Sequence, residues 1–407
     1  TITHQTYYTI PYSPEEIAQV NLSSYENAQK ILFNLLENAV QNRLVADVPL
    51  GTFLSGGVDS SIITALAAQN TNNLNTFSIG FKDEPFFDET YYSQLVAEKY
   101  NTNHTVFSLS NNDLFEHLYN VLDYIDEPFA DSSAIAVNIL SYYTKQHVTV
   151  ALSGDGADEM FSGYNKHFAE FKARDPGIVE QLVKGITPLL DKLPQSRNTK
   201  YGNLSRQLSR FGKGAKLANK ERYWRWASII DEEEANYYLK ESKGIKFQRL
   251  SDDAYEYKKR KENLLRHIRK DGDINDVLYT DMHLVLQNDM LAKVDLMSMA
   301  NGLEVRTPFL DHNVVNFAFA LPSFFKINAS IRKKILQDTF KSWLPAELYN
   351  RPKQGFEVPL LKWFSTELKS LITDELIDDD FIKEQDIFNP DAVRNLKLKL
   401  FSKSPGD

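Results

Sequence analysis

The chain has 407 residues, a net charge of −9 and 42% apolar residues, enough for two or three domains, or one α/β domain with large insertions, and for a sizeable core. The acidic balance argues against broad nucleic-acid binding, and the absence of cysteine excludes disulfides, thiolate zinc sites and cysteine nucleophiles. No apolar run approaches the roughly 20 residues that cross a bilayer and no signal peptide opens the chain, so a cytoplasmic protein without a membrane partner is expected.

Residues 1–14 read as an extended lead-in that begins at Thr1 rather than Met, and something upstream is expected to have been removed. Over 24–45, Ile31, Leu32, Leu35, Leu36, Ala39 and Val40 form a helical stripe. An apolar run ending at Leu54 reads as a buried strand. Ser55-Gly56-Gly57-Val58-Asp59-Ser60-Ser61 then leads into a helical pattern through Ile62, Ile63, Leu66 and Ala67. Thr76–Gly80 reads as a second buried strand, 89–100 as a helix and Thr105–Leu109 as a strand. An amphipathic segment over 113–125 precedes Asp126-Glu127-Pro128, a further helix ends near Gln146, and Val148–Leu152 is another buried strand. Strands alternating with helices predict an α/β fold with a parallel, doubly wound sheet and a ligand at the carboxyl ends of the strands. From about 166 onward strand signals fade. Residues 220–345 are rich in Lys, Glu, Leu and Tyr at helical spacing, loops fall near Pro176, Pro188 and Pro194, and the last 60 residues are helical as well. The division expected is an α/β core over 23–165 and a large, mostly helical region over 166–407 that packs on it and completes the site.

The loop at 55–61 carries the first chemistry. Amide and hydroxyl groups between a strand and a helix N-terminus converge on an anion. The lysine of a Walker loop is missing, and Asp59 stands inside the loop instead. A carboxylate beside phosphates is tolerable chiefly with a divalent cation between them. The pattern therefore points to pyrophosphate held through Mg²⁺ in an enzyme that cuts ATP between its α and β phosphates. Two glycines alone would suit a plain strand-to-helix turn; Ser55, Asp59, Ser60 and Ser61 tip the reading to nucleotide. A second strand-end loop, Ser153-Gly154-Asp155-Gly156-Ala157-Asp158-Glu159, brings three carboxylates into five residues. They could complement a helix dipole, but at the same sheet edge Asp158 can join Asp59 as a Mg²⁺ ligand.

Arg332-Lys333-Lys334 offers a cation for an α-phosphate under attack, and spacing alone does not choose among them. Asp271–Asp276 begins like a calcium loop but has Asp276 at the turn glycine and Met282 at the bidentate glutamate, so it is rejected. The eight histidines lack ligand spacing. The basic stretch Lys213 to Arg222 reads as a solvated helix face, and the 25 Phe and 20 Tyr read as core.

These residues resemble a known family. Val48 to Ser61 is similar to the ATP pyrophosphatase loop in its asparagine synthetase variant. Matching blocks follow in the family's order: Thr76 to Phe81, Asp126 to Asp131, Leu152 to Glu159, Lys293 to Ala300, Leu303 to Asp311 and Arg351 to Phe356. The first loop alone would also fit GMP synthetase; the Val305-Arg306-Thr307-Pro308-Phe309-Leu310-Asp311 block makes the synthetase domain of glutamine-hydrolysing asparagine synthetase far more specific. The resemblance implies an adenine nucleotide alpha-hydrolase-like fold. It also implies a reaction in which ATP and aspartate form β-aspartyl-AMP and pyrophosphate, after which ammonia displaces AMP to give asparagine. By matched position, Ser55, Gly56, Gly57, Asp59, Ser60 and Ser61 form the pyrophosphate loop, and Asp59 and Asp158 hold Mg²⁺. Leu54, Ile79, Ser153 and Gly154 contact adenosine, and Lys333 meets the α-phosphate, with Lys334 as the competing register. Asp155 stands where well-known members have a catalytic Glu, and Leu296 stands where a basic residue often follows Lys-Val-Asp. The family begins with a glutaminase domain whose terminal Cys releases ammonia. Here residues 1–22 look like an interdomain linker remnant, so that half is expected to have been omitted, the alternative being use of free ammonia. A homodimer is the analogous expectation. A ligase acting on another acid, β-lactam synthetase-like or amidating peptides or sugars, is the alternative. A non-catalytic nucleotide-binding protein is disfavoured because Asp59, Asp158 and the lysines are all present, and a tRNA-sulfurating enzyme by the missing cysteines and acidic balance.

Overall fold

The apolar runs and helical stripes of the first 165 residues build a parallel sheet, and one more strand is drawn in from far along the chain. A computed structural model describes residues 3–19, 24–83, 88–190, 192–193, 200–240, 252–349, 360–402 and 405. The chain forms two units: residues 1–164 with 281–358, and residues 165–280 with 359–407.

The first unit contains β1 (Leu50–Phe53), β2 (Asn75–Phe81), β3 (Asn103–Leu109), β4 (Val150–Leu152) and β5 (Glu304–Arg306). All pair in parallel, in the order β3-β2-β1-β4-β5. The helices that carry the argument are α1 (Tyr25–Arg43), α2 (Val58–Asn70), α3 (Thr90–Tyr100), α4 (Ser133–Lys145), α5 (Ala157–Phe161), α6 (Leu291–Met299), α7 (His312–Ala320) and α8 (Lys334–Thr339). Strand order reverses between β1 and β4, the switch point at which parallel sheets of this kind open a crevice. Leu50 stands opposite Val150, Gly51 opposite Ala151 and Thr52 opposite Leu152, so the loops after β1 and β4 leave the sheet side by side.

α2 buries Ile62, Ile63 and Leu66 completely, and a hydroxyl pair between Thr52 and Thr64, 2.8 Å apart, ties it to β1. α1 buries Leu32, Leu36, Ala39 and Val40, whereas Ile31, counted in the predicted stripe, is 38% exposed because it lies on the flank of the buried face. The expected amphipathic segment over 113–125 is two helices, Asn111–Glu116 and Leu118–Tyr124, the first started by a capping box between Ser110 and Asp113.

Several expectations change, among them the loop near Pro188, which lies inside the helix Ile178–Leu190. β5 lies beyond residue 166, where no strand was expected; it is three residues long with Glu304 and Arg306 at its ends, too short and too polar for a periodicity signal. The Arg306 side chain donates through Nη1 to the carbonyls of Arg43 and Val45, each at 2.8 Å, while Arg43 pairs with Asp311 at 3.1 Å. The Val305-to-Asp311 block thus clasps the end of α1. Residues 281–358 also group with the sheet rather than with the helical region, so the division at 165/166 differs from the observed one over that stretch. The Arg351-to-Phe356 block lies outside the described residues.

The second unit is helical throughout its described length apart from an isolated bridge between Leu239 and Phe388. Its polar centre is Glu170, which accepts from Arg222 Nε at 2.7 Å, Arg222 Nη2 at 2.6 Å and Arg174 Nε at 2.7 Å. Arg222 is therefore buried, not part of a solvated face as the basic stretch suggested. Among the described residues no helix is long and apolar enough to cross a membrane.

Gly156 has φ of +93°, and a Cβ there would collide with Leu310. Gly156→Ala is expected to destabilise the first unit by about 1–3 kcal/mol. Gly185, in the helix Ile178–Leu190, has nothing within 4 Å of a built Cβ, so Gly185→Ala should stabilise by up to about 1 kcal/mol. Urea unfolding midpoints of the two variants check both signs.

Candidate active site

The loop after β1 is held by its own hydroxyls. Leu54 is fully buried, donates its N–H to the Phe77 carbonyl at 2.8 Å and accepts from Ser78 Oγ. Ile79, on the neighbouring strand β2, is 5% exposed. Gly56 turns the chain with φ of +75°. Ser55 Oγ accepts from the Gly57 N–H at 3.3 Å and pairs with Ser60 Oγ at 3.0 Å, while Ser60 Oγ accepts from the Ser55 N–H at 3.2 Å. α2 then begins without a side-chain cap, which leaves the amides of its first turn available to an anion. Ser61 is fully buried, and neither its Oγ nor Asp59 Oδ1 has a hydrogen-bond partner.

The loop after β4 lies directly against it. A Cβ on Gly154 would stand 2.8 Å from the Ser60 nitrogen and 3.0 Å from Asp59 Cβ, so the two loops touch where only glycine fits. The Ser153 N–H donates to the Arg306 carbonyl at 2.9 Å and its hydroxyl to Asp155 Oδ2 at 2.7 Å. Asp155 is half-buried, and the protein around it pushes its pKa up against the Ser153 hydrogen bond and the charge of Lys293. Asp158 sits in the first turn of α5.

Lys333 joins the two loops. Its Nζ donates to Asp59 Oδ2 at 2.5 Å and lies 2.6 Å from Asp158 Oδ1. It is 6% exposed. Burial opposes its charge, but the carboxylates of Asp158 and then Asp59 outweigh burial and hold its pKa well above the ordinary lysine range. The residue is in the left-handed region, φ +51° and ψ 37°, at the N-cap of α8, a conformation that costs a side-chain-bearing residue about 1–2 kcal/mol. This bend separates two adjacent lysines: Lys334 turns to Asp338 at 2.8 Å and lies over the Tyr25 ring at 3.9 Å. A Cβ on Gly163 would strike both Asp158 Oδ1 and Lys333 Cε.

A further pair, Lys293 and Asp131, comes from two of the blocks that resemble the family, neither residue being among the expected site residues. Lys293 of α6 is buried and donates to Asp131 Oδ2 at 2.7 Å and Ser133 Oγ at 2.9 Å. Burial raises the Asp131 pKa, but Lys293 and the hydrogen bonds prevail and lower it.

Among the described residues no group of three or more His, Asp or Glu side chains could hold a metal. Mg²⁺ asks for less: one or two carboxylates, with phosphate and water completing its shell. Asp59 and Asp158 already share one cation, the Lys333 ammonium, and Asp59 retains a buried oxygen without a partner. The donor set fits Mg²⁺ brought with a phosphate ligand.

Glu159 is the third acid of the Ser153-to-Glu159 loop. It is 1% exposed and accepts from the Tyr164 hydroxyl at 2.6 Å. Burial first, then the Asp158 charge, push its pKa up to about 7. The folded chain thus keeps a proton that the unfolded chain releases in the ordinary glutamate range, so stability falls as pH rises from about 4.5 to 7, by up to roughly 3 kcal/mol. Glu159→Gln should remove that slope. Its stability advantage over the wild type should grow across this window and level off above it, as urea unfolding at a series of pH values would show.

The geometry can be set beside known proteins. The family model for asparagine synthase matches residues 32–402. Glutamine-hydrolyzing asparagine synthetase 1 of Bacillus subtilis is 29% identical over 390 residues, covering 94% of this chain and 58% of the relative. Glutamine-hydrolyzing asparagine synthetase 3 of the same organism is 26% identical over 362 residues, covering 83% and 50%. Amidase chyE of Penicillium rubens is 22% identical over 410 residues, covering 91% and 59%. The chain spans between 50% and 59% of the length of these curated relatives. With the match running through both strand-end loops and the lysine that joins them, the chain belongs to the asparagine synthase family.

Proposed function

We propose that this chain performs ATP-dependent amide synthesis, activating the side-chain carboxylate of aspartate as β-aspartyl-AMP and passing the acyl group to ammonia. The observation that carries the reading is the Lys333 ammonium between Asp59 and Asp158, at 2.5 and 2.6 Å, where two strand-end loops meet. ATP would lie over the carboxyl ends of β1 and β4. The hydroxyls and amides of Ser55, Gly56, Gly57, Ser60 and Ser61 would take the pyrophosphate end, and Leu54, Ile79, Ser153 and Gly154 would border adenosine. Mg²⁺, held by Asp59 and Asp158, would neutralise phosphate charge.

A carboxylate oxygen of aspartate attacks the α-phosphorus, the bond to the α–β bridging oxygen breaks, and pyrophosphate leaves with the electron pair. Lys333 meets the charge that grows on the α-phosphate oxygens, an interaction that strengthens in the transition state. Ammonia then attacks the acyl carbon, AMP departs, and the nitrogen sheds one proton. Asp155 would accept that proton; a carboxylate whose pKa is raised by burial is the better base. In the family's full-length form ammonia would come from a glutaminase domain, and the setting would be the cytoplasm. A second reading keeps the adenylation and changes the acid. It is favoured by the match to a relative named as an amidase over 91% of this chain.

Incubation with ATP, Mg²⁺, ammonium and a panel of carboxylic acids should give AMP and pyrophosphate in equal amounts, with aspartate the preferred acid. ADP and orthophosphate would overturn the proposal, and preference for another acid would select the second reading. Asp59→Asn should abolish ATP–pyrophosphate exchange with the circular dichroism spectrum unchanged. Lys333→Ala should slow adenylation about 10²–10³-fold while nucleotide binding, measured by calorimetry, changes far less.

A further inference from the structure

Lys333 stands between the two carboxylates to which the proposed function assigns the metal. Its ammonium contacts Asp59 Oδ2 and Asp158 Oδ1 at 2.5 and 2.6 Å, so a divalent ion seeking these oxygens must compete with a cation already in place. Three features hold the lysine there. Its backbone adopts the left-handed conformation, which sends its side chain away from that of Lys334. Gly163 leaves room for the stem, since a Cβ there would strike Lys333 Cε. The side chain is 7% exposed, so the charge has little solvent to retreat into. At the same time Asp59 Oδ1 is buried without a partner, an acceptor that the lysine leaves unused.

We propose that Lys333 is an internal counter-ion that closes the Asp59–Asp158 pair to free divalent metal, and that it yields the pair only when a phosphate group arrives to receive its ammonium. The proposal rests on the reading of Asp59 and Asp158 as metal holders. Without the lysine, two adjacent carboxylates would form a standing cation site. With it, metal and nucleotide enter together, and the cation displaced from the carboxylates is delivered to the phosphate oxygens. One side chain thereby couples metal uptake to nucleotide uptake, because a counter-ion bound within the site must be competed away before a divalent ion can coordinate the same oxygens.

The test is Mn²⁺ binding followed by electron paramagnetic resonance on the full chain without nucleotide. Wild-type protein should bind Mn²⁺ weakly, and Lys333→Met should bind it about tenfold more tightly or better, within the usual range for coupled sites. Lys333→Arg, which keeps a cation, should stay as weak as the wild type. The chain has no cysteine, so Lys333→Cys gives a single thiol. Alkylation of that thiol with bromoethylamine restores a cation and should return the Mn²⁺ affinity to the wild-type level. Equal affinity in wild type and Lys333→Met overturns the counter-ion role and leaves the adenylation reading intact. No Mn²⁺ binding by any form, with or without pyrophosphate, overturns both. Should the neutral variants not fold, the wild type still decides. Mg²⁺ alone should leave its melting temperature unchanged, while Mg²⁺ with pyrophosphate should raise it above the value with pyrophosphate alone. A rise with Mg²⁺ alone overturns the proposal.

Discussion

The parallel pairing of β1 with β4 is the constraint on which the site depends. Because Leu50 to Thr52 register with Val150 to Leu152, the two chains emerge from the sheet at the same height, and their first free residues must share one small volume. Gly154 meets that demand by lacking a side chain where it touches the start of α2. Shifting the register by one residue would turn the side chains of a strand to the opposite face and carry Asp59 and Asp158 away from each other. Chemistry and fold are therefore joined at the backbone.

Concentrating acids this way has an electrostatic cost. Asp59, Asp155, Asp158 and Glu159 come from two short segments, and each raises the free energy of its neighbours' charged forms. The molecule resolves the repulsion unevenly. Asp59 and Asp158 are matched directly by Lys333, Asp155 lies within the field of Lys293, and Glu159 is pushed toward its neutral form beside Tyr164. Lys333, Lys293 (which also pairs with Asp131) and the half-buried Arg332, whose charge acts on Asp158, are the cations set among these carboxyl groups. The left-handed backbone at Lys333 is part of this arrangement; its strain is offset by two close ion pairs.

Much of this was legible in the sequence, and the limits have physical causes. β1, β2 and β4 announce themselves because buried strands of a parallel sheet are rich in apolar residues; β3, half-exposed at the edge of the sheet, shows itself through Val106, Phe107 and Leu109. The meeting of Asp59 and Asp158 at one cation follows because both stand just past the ends of neighbouring parallel strands. β5 escapes because three residues with polar ends carry no period, and the membership of 281–358 escapes because adjacency in sequence says nothing about which unit a segment joins. The distinction between Lys333 and Lys334 depends on one positive φ, which no pattern of residue types encodes. Arg222 resembled a surface charge because its partner Glu170 lies 52 residues away. The Lys293–Asp131 pair spans 162 residues, yet both members lie in matched blocks, where their opposite charges are the one signal of it in the sequence.

The last strand to join the sheet has a consequence for how the family's architecture can vary. β4 ends at Leu152 and β5 begins at Glu304, and most of the helical unit is threaded between them. For a flexible connection, closing a longer loop becomes more expensive only logarithmically, about 0.6 kcal/mol for each doubling of length. To that extent the edge strand tolerates insertions and deletions in the intervening segment. The intervening segment can thus change in length while the two strand tips and their lysine keep their places in the first unit.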